Sequence, residues 1–394
     1  MKDFWAEELQ NQRKGKLKKL AVFMGFIAII ILIVVLIIVY MYNMQFRKWC
    51  DDNVLRKEVL EEDTKTIELD GDENTQIYAY DKYICIFRKK SLEFYNRLGN
   101  QVEKIDIDIN KPVFTSAGKY MAICEEQGQK FYLICGKEKL FENSIEGTIN
   151  QINVSEGGYV SIVLSNASYK SIVDVYNKSG KQVFKTNLVT SRVADVSISK
   201  DSKYLAIAEI DISGILIKSS IQIISMELAQ TNAKEAMIYK HEAQTDKLII
   251  NVEYQDKGNL ICFYNDSIEM LQDQQITEIV NFKDRKLAFM TINLRNRVAV
   301  LEEISTGEYT SDTNVTIINP TTLKKREYVA NDVAKSIKTY ENKIAINFGA
   351  ELHIIDTNGI LIKKYISSTE INDIVMTDNL VGVVYRNKIQ IIKL

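Results

Sequence analysis

A repeated pattern of short strands restricts the fold of this chain more than any other feature. Each copy contains a Tyr or another long residue, an apolar strand, a polar turn, a further strand ending near Asn-x-x-Gly, and a third strand. The apolar strands begin at Tyr83, Tyr120, Tyr159, Tyr204, Leu260, Arg297, Lys343 and Leu380. Their mean spacing of about 42 residues is typical of four-stranded propeller blades. The sequence therefore predicts an all-β fold, a β-propeller with eight blades, with seven as the alternative count.

One position of the repeat always carries a small residue. It lies two residues after each strand start and is occupied by Cys85, Ala122, Ser161, Ala206, Cys262, Ala299, Ala345 and Gly382. In a propeller the sheets pack face to face around an axis, and a large side chain at this position would push neighbouring blades apart. We interpret it as a contact between blades in the second strand of each blade.

The two ends of the repeat region complement each other. The last copy stops after its second strand, and an unassigned strand, Thr64 to Leu69, precedes the first copy. Pairing of this strand with Lys388 to Leu394 would complete the last blade and leave no free edge in the ring. A pair of β-sandwiches or a β-solenoid is the competing all-β architecture.

An uncharged apolar segment runs from Leu20 to Tyr42. As a helix it spans about 35 Å, enough to cross a bilayer core of about 30 Å. The alternative is a signal peptide, but the run exceeds the roughly 7 to 15 residues of a signal core, and no small-x-small cleavage site follows. Tyr40, Tyr42 and Trp49 lie where an interfacial aromatic belt is expected. The segment predicts one transmembrane helix, with the lipid bilayer as its partner.

Basic residues flank the two ends of this segment unequally. Arg47 and Lys48 follow it, whereas the preceding flank carries Arg13, Lys14, Lys16, Lys18 and Lys19. The positive-inside rule therefore predicts a single-pass protein of the cell membrane with a cytoplasmic N-terminus and an extracytoplasmic C-terminal domain. The predicted domains are a basic tail (1–19), a transmembrane helix (20–42), a helical stalk (43–63) and the propeller (64–394).

Motifs for catalysis, metals and nucleic acids are missing from the sequence. The chain contains 50 basic and 52 acidic residues, so charge gives no sign of nucleic-acid binding. Five Cys and two His form no zinc or redox pattern, and no phosphate loop or nucleophile elbow is found. We expect His353 in a strand and His241 in a loop, and a disulfide between Cys124 and Cys135 remains open. The sequence predicts no catalytic residue, metal or cofactor.

Three copies lengthen the loop between the second and third strands of the blade: Ser165 to Lys170, Asp211 to Ser220 and Ser305 to Asn314. These loops should lie on one face of the ring, and long loops on a rigid scaffold often carry binding residues. The candidate binding residues are Asn166, Tyr169, Asp211, Ser213, Tyr309 and Asp312.

A basic tail, one anchor and a Tyr-rich repeat with phrases such as KYLAIA and VYNKSGK make the chain resemble a family of propeller-bearing membrane proteins from Clostridia and their relatives. The resemblance implies the fold and a place in the bacterial envelope, and it assigns no catalytic residue. We expect a non-enzymatic binding or scaffold protein with an envelope protein or glycan as its partner. The alternative is a glycan-processing hydrolase that uses paired carboxylates in the channel.

Overall fold

The computed structural model describes residues 23–55, 57–59, 64–70, 75–245, 247–283, 285, 287–291, 293–307 and 310–394. The predicted tail, 1–19, lies outside these residues. The chain divides into two compact units, Met1–Glu58 and Val59–Leu394.

The described part of the first unit contains two helices. Helix α1 (Phe23–Tyr42) is long and apolar enough to cross a membrane, and none of its most apolar stretch is buried. A second helix, α2 (Met44–Asn53), begins after Asn43, whose side chain accepts a hydrogen bond from the Phe46 amide. A two-residue strand, Glu58–Val59, follows.

The second unit is an eight-bladed β-propeller. Each blade contains four antiparallel strands that lie side by side, and the sheet of blade 7 has a fifth, two-residue strand that includes Val59. In blades 1 to 4 the strands are Gln76–Tyr80, Tyr83–Arg88, Ser91–Tyr95 and Gln101–Asp106; Pro112–Ala117, Tyr120–Glu125, Lys130–Cys135 and Glu138–Ser144; Thr148–Val154, Val160–Ser165, Ser171–Tyr176 and Gln182–Leu188; and Ser191–Ile198, Tyr204–Asp211, Lys218–Ser225 and Met237–Glu242.

Blades 5 to 7 continue in the same order. Their strands are Ile249–Tyr254, Leu260–Tyr264, Ser267–Gln272 and Gln275–Asn281; Leu287–Met290, Val298–Ser305, Ser311–Ile318 and Lys325–Ala330; and Ser336–Tyr340, Lys343–Asn347, Glu351–Asp356 and Leu361–Ile366. Short helices add to this pattern at Met226–Thr231 and Ala233–Glu235 in blade 4 and at Asp256–Gly258 in blade 5. The predicted apolar strands are the second strands of the blades.

Blade 8 joins the two ends of the ring. Asp373–Met376, Leu380–Val384 and Lys388–Lys393 come from the end of the chain, and Lys65–Glu68 supplies the fourth strand. Lys65 pairs with Ile391 and Glu68 with Lys388, in antiparallel register. The eight-bladed count and the predicted closure are confirmed.

The hydrophobic core is divided among the junctions between blades. Each apolar cluster joins two neighbouring blades; that between blades 8 and 1 contains Ile67, Ile84 and Ile391. The small residues of the repeat lie in these junctions: Cys85, Ala206 and Ala345 are fully buried. A Cβ on Gly382 would lie 2.9 Å from Cδ1 of Ile84 in blade 1. The predicted contact between blades is confirmed.

The open question of a disulfide in blade 2 is settled by register. Cys124 pairs with Phe131, and Cys135 pairs with Tyr120 at the opposite end of the same two strands. The described cysteines, these two included, are all free. The expectation for His241 was wrong, because the fourth strand of blade 4 extends to Glu242 and His241 pairs there with Ile221. His353 lies in a strand, as predicted.

Candidate functional site

The ring has two faces with different connections. The loops between second and third strands share one face with the connections from blade to blade, here called the loop face. The turns between first and second strands and between third and fourth strands form the opposite turn face. Glu68 reaches the loop face beside Asn387, where the Leu69 amide donates to the Asn387 carbonyl, whereas Lys65 and the C-terminus lie at the turn face. The chain therefore approaches its closing strand from the turn face.

The blade 3 loop contains two of the predicted binding residues. The Asn166 side chain accepts hydrogen bonds of 2.9 Å from the amides of Ser168 and Tyr169, which fixes a tight turn. Tyr169 is only half-exposed and packs against the core between blades 2 and 3. Tyr169 is therefore only partly available at the loop face, and Asn166 is exposed there.

In blade 4 the loop is shorter than expected because its strands continue to Asp211 and resume at Lys218. Asp211 accepts a 2.9 Å hydrogen bond from the Ser213 amide. Hydrogen bonds from Ser213, with smaller contributions from Lys170 and Lys218, lower the pKa of the Asp211 carboxyl. Both predicted residues, Asp211 and Ser213, thus shape the base of this loop.

The blade 6 strands are also longer than expected, ending at Ser305 and resuming at Ser311. Asp312 lies in the third strand, paired with Ile304 and half-buried. Tyr309 lies outside the described residues. The five predicted residues that the structure describes therefore belong to three loop-face hairpins, on blades 3, 4 and 6.

Sequence reasoning missed the apolar tip of the blade 4 loop. Ile212, Ile215, Leu216 and Ile217 are all exposed there, and Ile215 is fully so. Among the described loops between second and third strands, this is the one with exposed large apolar side chains. Val189 and Leu248, on the loop-face connections that flank blade 4, are exposed as well. The signal in the sequence was the apolar run Ile215-Leu216-Ile217 between turn residues. Solvent-exposed loops are usually polar, so such a run indicates an interaction site.

The first strands of seven blades, and residues Asn293 to Arg295 after the first strand of blade 6, line a central channel of about 900 Å³. Its wall is mostly polar and carries amides such as Gln151, Asn153 and Asn251 beside Tyr78 and Tyr340. The carboxylates among its described lining residues are Glu156, Asp195, Glu253, Glu341 and Asp373.

Asp195 ties three blades together at the channel wall. Its carboxylate accepts hydrogen bonds from Gln151, from Asn153 at 3.3 Å and from the Val252 amide at 3.0 Å. Burial raises the pKa of Asp195, and these hydrogen bonds oppose the rise. The residue acts as a structural link between blades 3, 4 and 5.

Glu253 is the channel carboxylate with an unsatisfied oxygen. Its Oε1 accepts from the Asn293 amide at 2.9 Å, and its buried Oε2 has no hydrogen-bond partner among the described residues. Burial raises the pKa of Glu253 to about 7, against the opposing effects of the Asn293 amide and Lys200. Close to neutral pH, this carboxyl is half protonated.

Charged side chains alternate around the turn-face mouth of the channel. Lys200 lies 3.2 Å from Glu156 and 3.1 Å from Asp256, and Arg295 lies 2.9 Å from Asp256 and 3.6 Å from Glu341. Despite partial desolvation, hydrogen bonds from Arg295 and Lys200 lower the pKa of Asp256 to about 2. This network joins the turns of blades 3 to 7 and engages two of the channel carboxylates.

Neither histidine adds a further site. His353 Nδ1 lies 2.9 Å from the Tyr328 hydroxyl, and its Nε2 lies 3.2 Å from Glu351, in a packed position beside Phe348. Burial lowers the pKa of His241. No group of three or more His, Cys, Asp or Glu side chains in the described part of the chain is placed to hold a metal ion.

Residues 58–394 match a family described as a family of unknown function, DUF5711. No curated protein matches the chain. Among solved structures, BamB from Moraxella catarrhalis is 14% identical, with a TM-score of 0.50 over 84% of this chain and 96% of that one. The dihydro-heme d1 dehydrogenase NirN in complex with DHE is 10% identical, with a TM-score of 0.52 over 84% of this chain and 76% of that one. At these identities the likenesses show the propeller fold alone.

Proposed function

The chain belongs to DUF5711, a family of unknown function, and we propose that it is a membrane-anchored binding protein of the bacterial envelope whose loop face holds an extracytoplasmic protein. The observation that carries this proposal is the exposed apolar tip Ile212–Ile217 on the loop face. Exposed apolar clusters with a polar rim mark interaction sites on soluble domains. Here Asp211, Ser213 and Lys218 provide the rim.

The scaffold supports this use of the loops. Blade 8 is closed by a strand from the other end of the chain, so the ring has no break at which its blades can separate. The loops are thus held on a rigid frame, which reduces the entropy lost on binding.

The membrane placement rests on helix α1 and on the charge asymmetry around it. The helix is exposed along its apolar length, as expected of a segment that lipid surrounds. The excess of Arg and Lys before the helix favours a cytoplasmic N-terminus and a propeller outside the cell.

The channel gives less support to a glycan-processing hydrolase. Such an enzyme needs two carboxyl groups able to act on one bond. Glu156 and Glu341 are paired with Lys200 and Arg295, and Asp373 lies 3.6 Å from Lys338. Asp195 is held by its inter-blade hydrogen bonds. Glu253 is left as one available carboxyl, so the binding function is preferred.

The test is a comparison of partner recovery by loop-face and turn-face variants. Full-length protein, solubilised from crosslinked cells, is isolated as wild type, as the double variant Ile215→Ser and Leu216→Ser, and as Leu98→Ser. Leu98 is a half-exposed apolar residue on the turn face of blade 1. The double variant should lose about 1 to 2 kcal/mol of binding, a roughly 5- to 30-fold weaker recovery. The Leu98 variant should match wild type; equal losses in both variants, or in neither, would contradict the proposed surface.

A further inference from the structure

We propose that helix α2 lies in the head-group region of the membrane, braced against the end of helix α1, and fixes the depth of the anchor. The inference rests on the proposed membrane placement of α1. The partner of this surface is the lipid head-group layer itself. From the sequence, residues 43–63 were expected to form a stalk that lifts the propeller from the membrane. The contacts of α2 instead favour the view that the first half of this segment packs against the end of α1.

The chain bends between the two helices at Asn43. Asn43 has φ −105° and ψ 108°, an extended conformation, and its side chain caps α2 at the Phe46 amide. The Tyr40 hydroxyl donates to Asp51 Oδ1 at 2.6 Å. In one straight helix these residues would be about 16 Å apart along the axis, beyond the combined reach of their side chains. The 2.6 Å contact therefore requires α2 to fold back toward the end of α1.

Charged side chains hold the bend, and Arg47 supplies hydrogen bonds to carbonyls that the end of α1 leaves without a helical partner. Arg47 donates to the carbonyl of Tyr40 at 3.1 Å and to that of Met41 at 2.5 Å, carbonyls in the last turn of α1 that need such partners. Lys57 donates to the Tyr40 hydroxyl at 2.7 Å and lies 2.8 Å from Asp51. Asp51 is almost completely buried, so its charge is neutralised inside the joint rather than left facing lipid.

The outer side of α2 presents aromatic rings. Phe46 and Trp49 stack with their ring centroids 6.1 Å apart, and more than half of Trp49 is exposed. Trp is enriched at the boundary between lipid and water because its ring is apolar and its N–H needs a polar partner. Helix α2 carries two basic and two acidic residues and is tied directly to the end of an apolar helix, so its exposed aromatic side fits a helix that lies at the interface.

Trp49 is also a convenient reporter of depth. The chain has two tryptophans, so Trp5→Phe leaves Trp49 as the single source of indole fluorescence. This full-length variant is reconstituted into phosphatidylcholine vesicles with bromine placed either high on the acyl chains or near their ends. We expect blue-shifted emission and stronger quenching by the shallow bromines than by the deep ones.

The joint is tested in the same background. Combining Tyr40→Phe with Asp51→Asn removes both partners of the central contact and should reduce the shallow quenching at least twofold. Tyr42→Phe is the matched control, since Tyr42 is largely exposed at the same helix end, and should leave quenching unchanged. Two results would overturn the inference alone: co-flotation with unquenched, water-like Trp49 emission, or equal quenching in the joint double variant and in the Tyr42→Phe control. Failure of the full-length chain to co-float with vesicles would overturn the anchor and the inference together.

Discussion

A small residue occupies one position in the second strand of every blade, and Gly382 in blade 8 is the smallest. A Cβ there would lie 2.7 Å from Cγ2 of Val375 and 2.9 Å from Cδ1 of Ile84, so a larger side chain must push blades 8 and 1 apart. Gly382→Val should lower the free energy of unfolding by about 1 to 3 kcal/mol, measured by urea denaturation. Gly214→Val is the control: only the Leu216 carbonyl lies near, at 3.8 Å. Equal stability of both variants would contradict this packing.

At Glu253 the folded state holds a proton that the unfolded chain releases. The pKa is raised from 4.5 to about 7, so the unfolded chain ionises first and stability falls as pH rises from about 4.5 to 7. Glu253→Gln keeps an oxygen for the Asn293 amide and removes this cost. The variant should match wild type near pH 4 and exceed it at pH 8 by on the order of 3 kcal/mol. A constant difference between the two unfolding curves across this pH range would rule out the raised pKa.

Among the elements, the closing strand Lys65–Glu68 couples the ends of the ring through a few residues. Ile67 is buried between blades 8 and 1, so Ile67→Ala should cost about 2 to 5 kcal/mol and lower the melting temperature. Ile276→Ala is the matched control, because Ile276 lies in the fourth strand of blade 5 and is more than a third exposed. If the strand were a loose linker, both changes would leave the melting temperature unchanged.

The hairpins show where reading the sequence stopped short. Blades 4 and 6 were expected to have loops at Asp211–Ser220 and Ser305–Asn314, but cross-strand pairing carries their strands further, to Lys218 and Ser311. Sequence alone does not reveal where pairing ends when polar residues continue an extended strand. The same emphasis on polar and aromatic residues passed over Ile215 and its apolar neighbours.

For the whole molecule, the sequence predicted the architecture better than the chemistry. Blade number and the second strand of each blade follow from a period and a small residue that packing between blades requires. Ring closure follows from the unassigned strand before the first copy, which complements the incomplete last copy. The residues that line the channel were not predicted, because the first strands vary from blade to blade and were not part of the recognised repeat. Contacts such as Asp195 with Val252 join residues 57 positions apart, and no local pattern encodes them.

The central claim is that the loop face of an extracytoplasmic propeller contacts a protein. Ile215→Cys places a thiol on the loop face, and Leu98→Cys places one on the turn face. The unmutated protein, treated in the same way, gives the background from the native cysteines. Intact cells are treated with a membrane-impermeant crosslinker that joins thiols to amines. We expect a discrete protein adduct from Ile215→Cys before lysis, and none above background from Leu98→Cys. Reaction of either cysteine only after lysis, or the same adducts from both positions, would contradict the account.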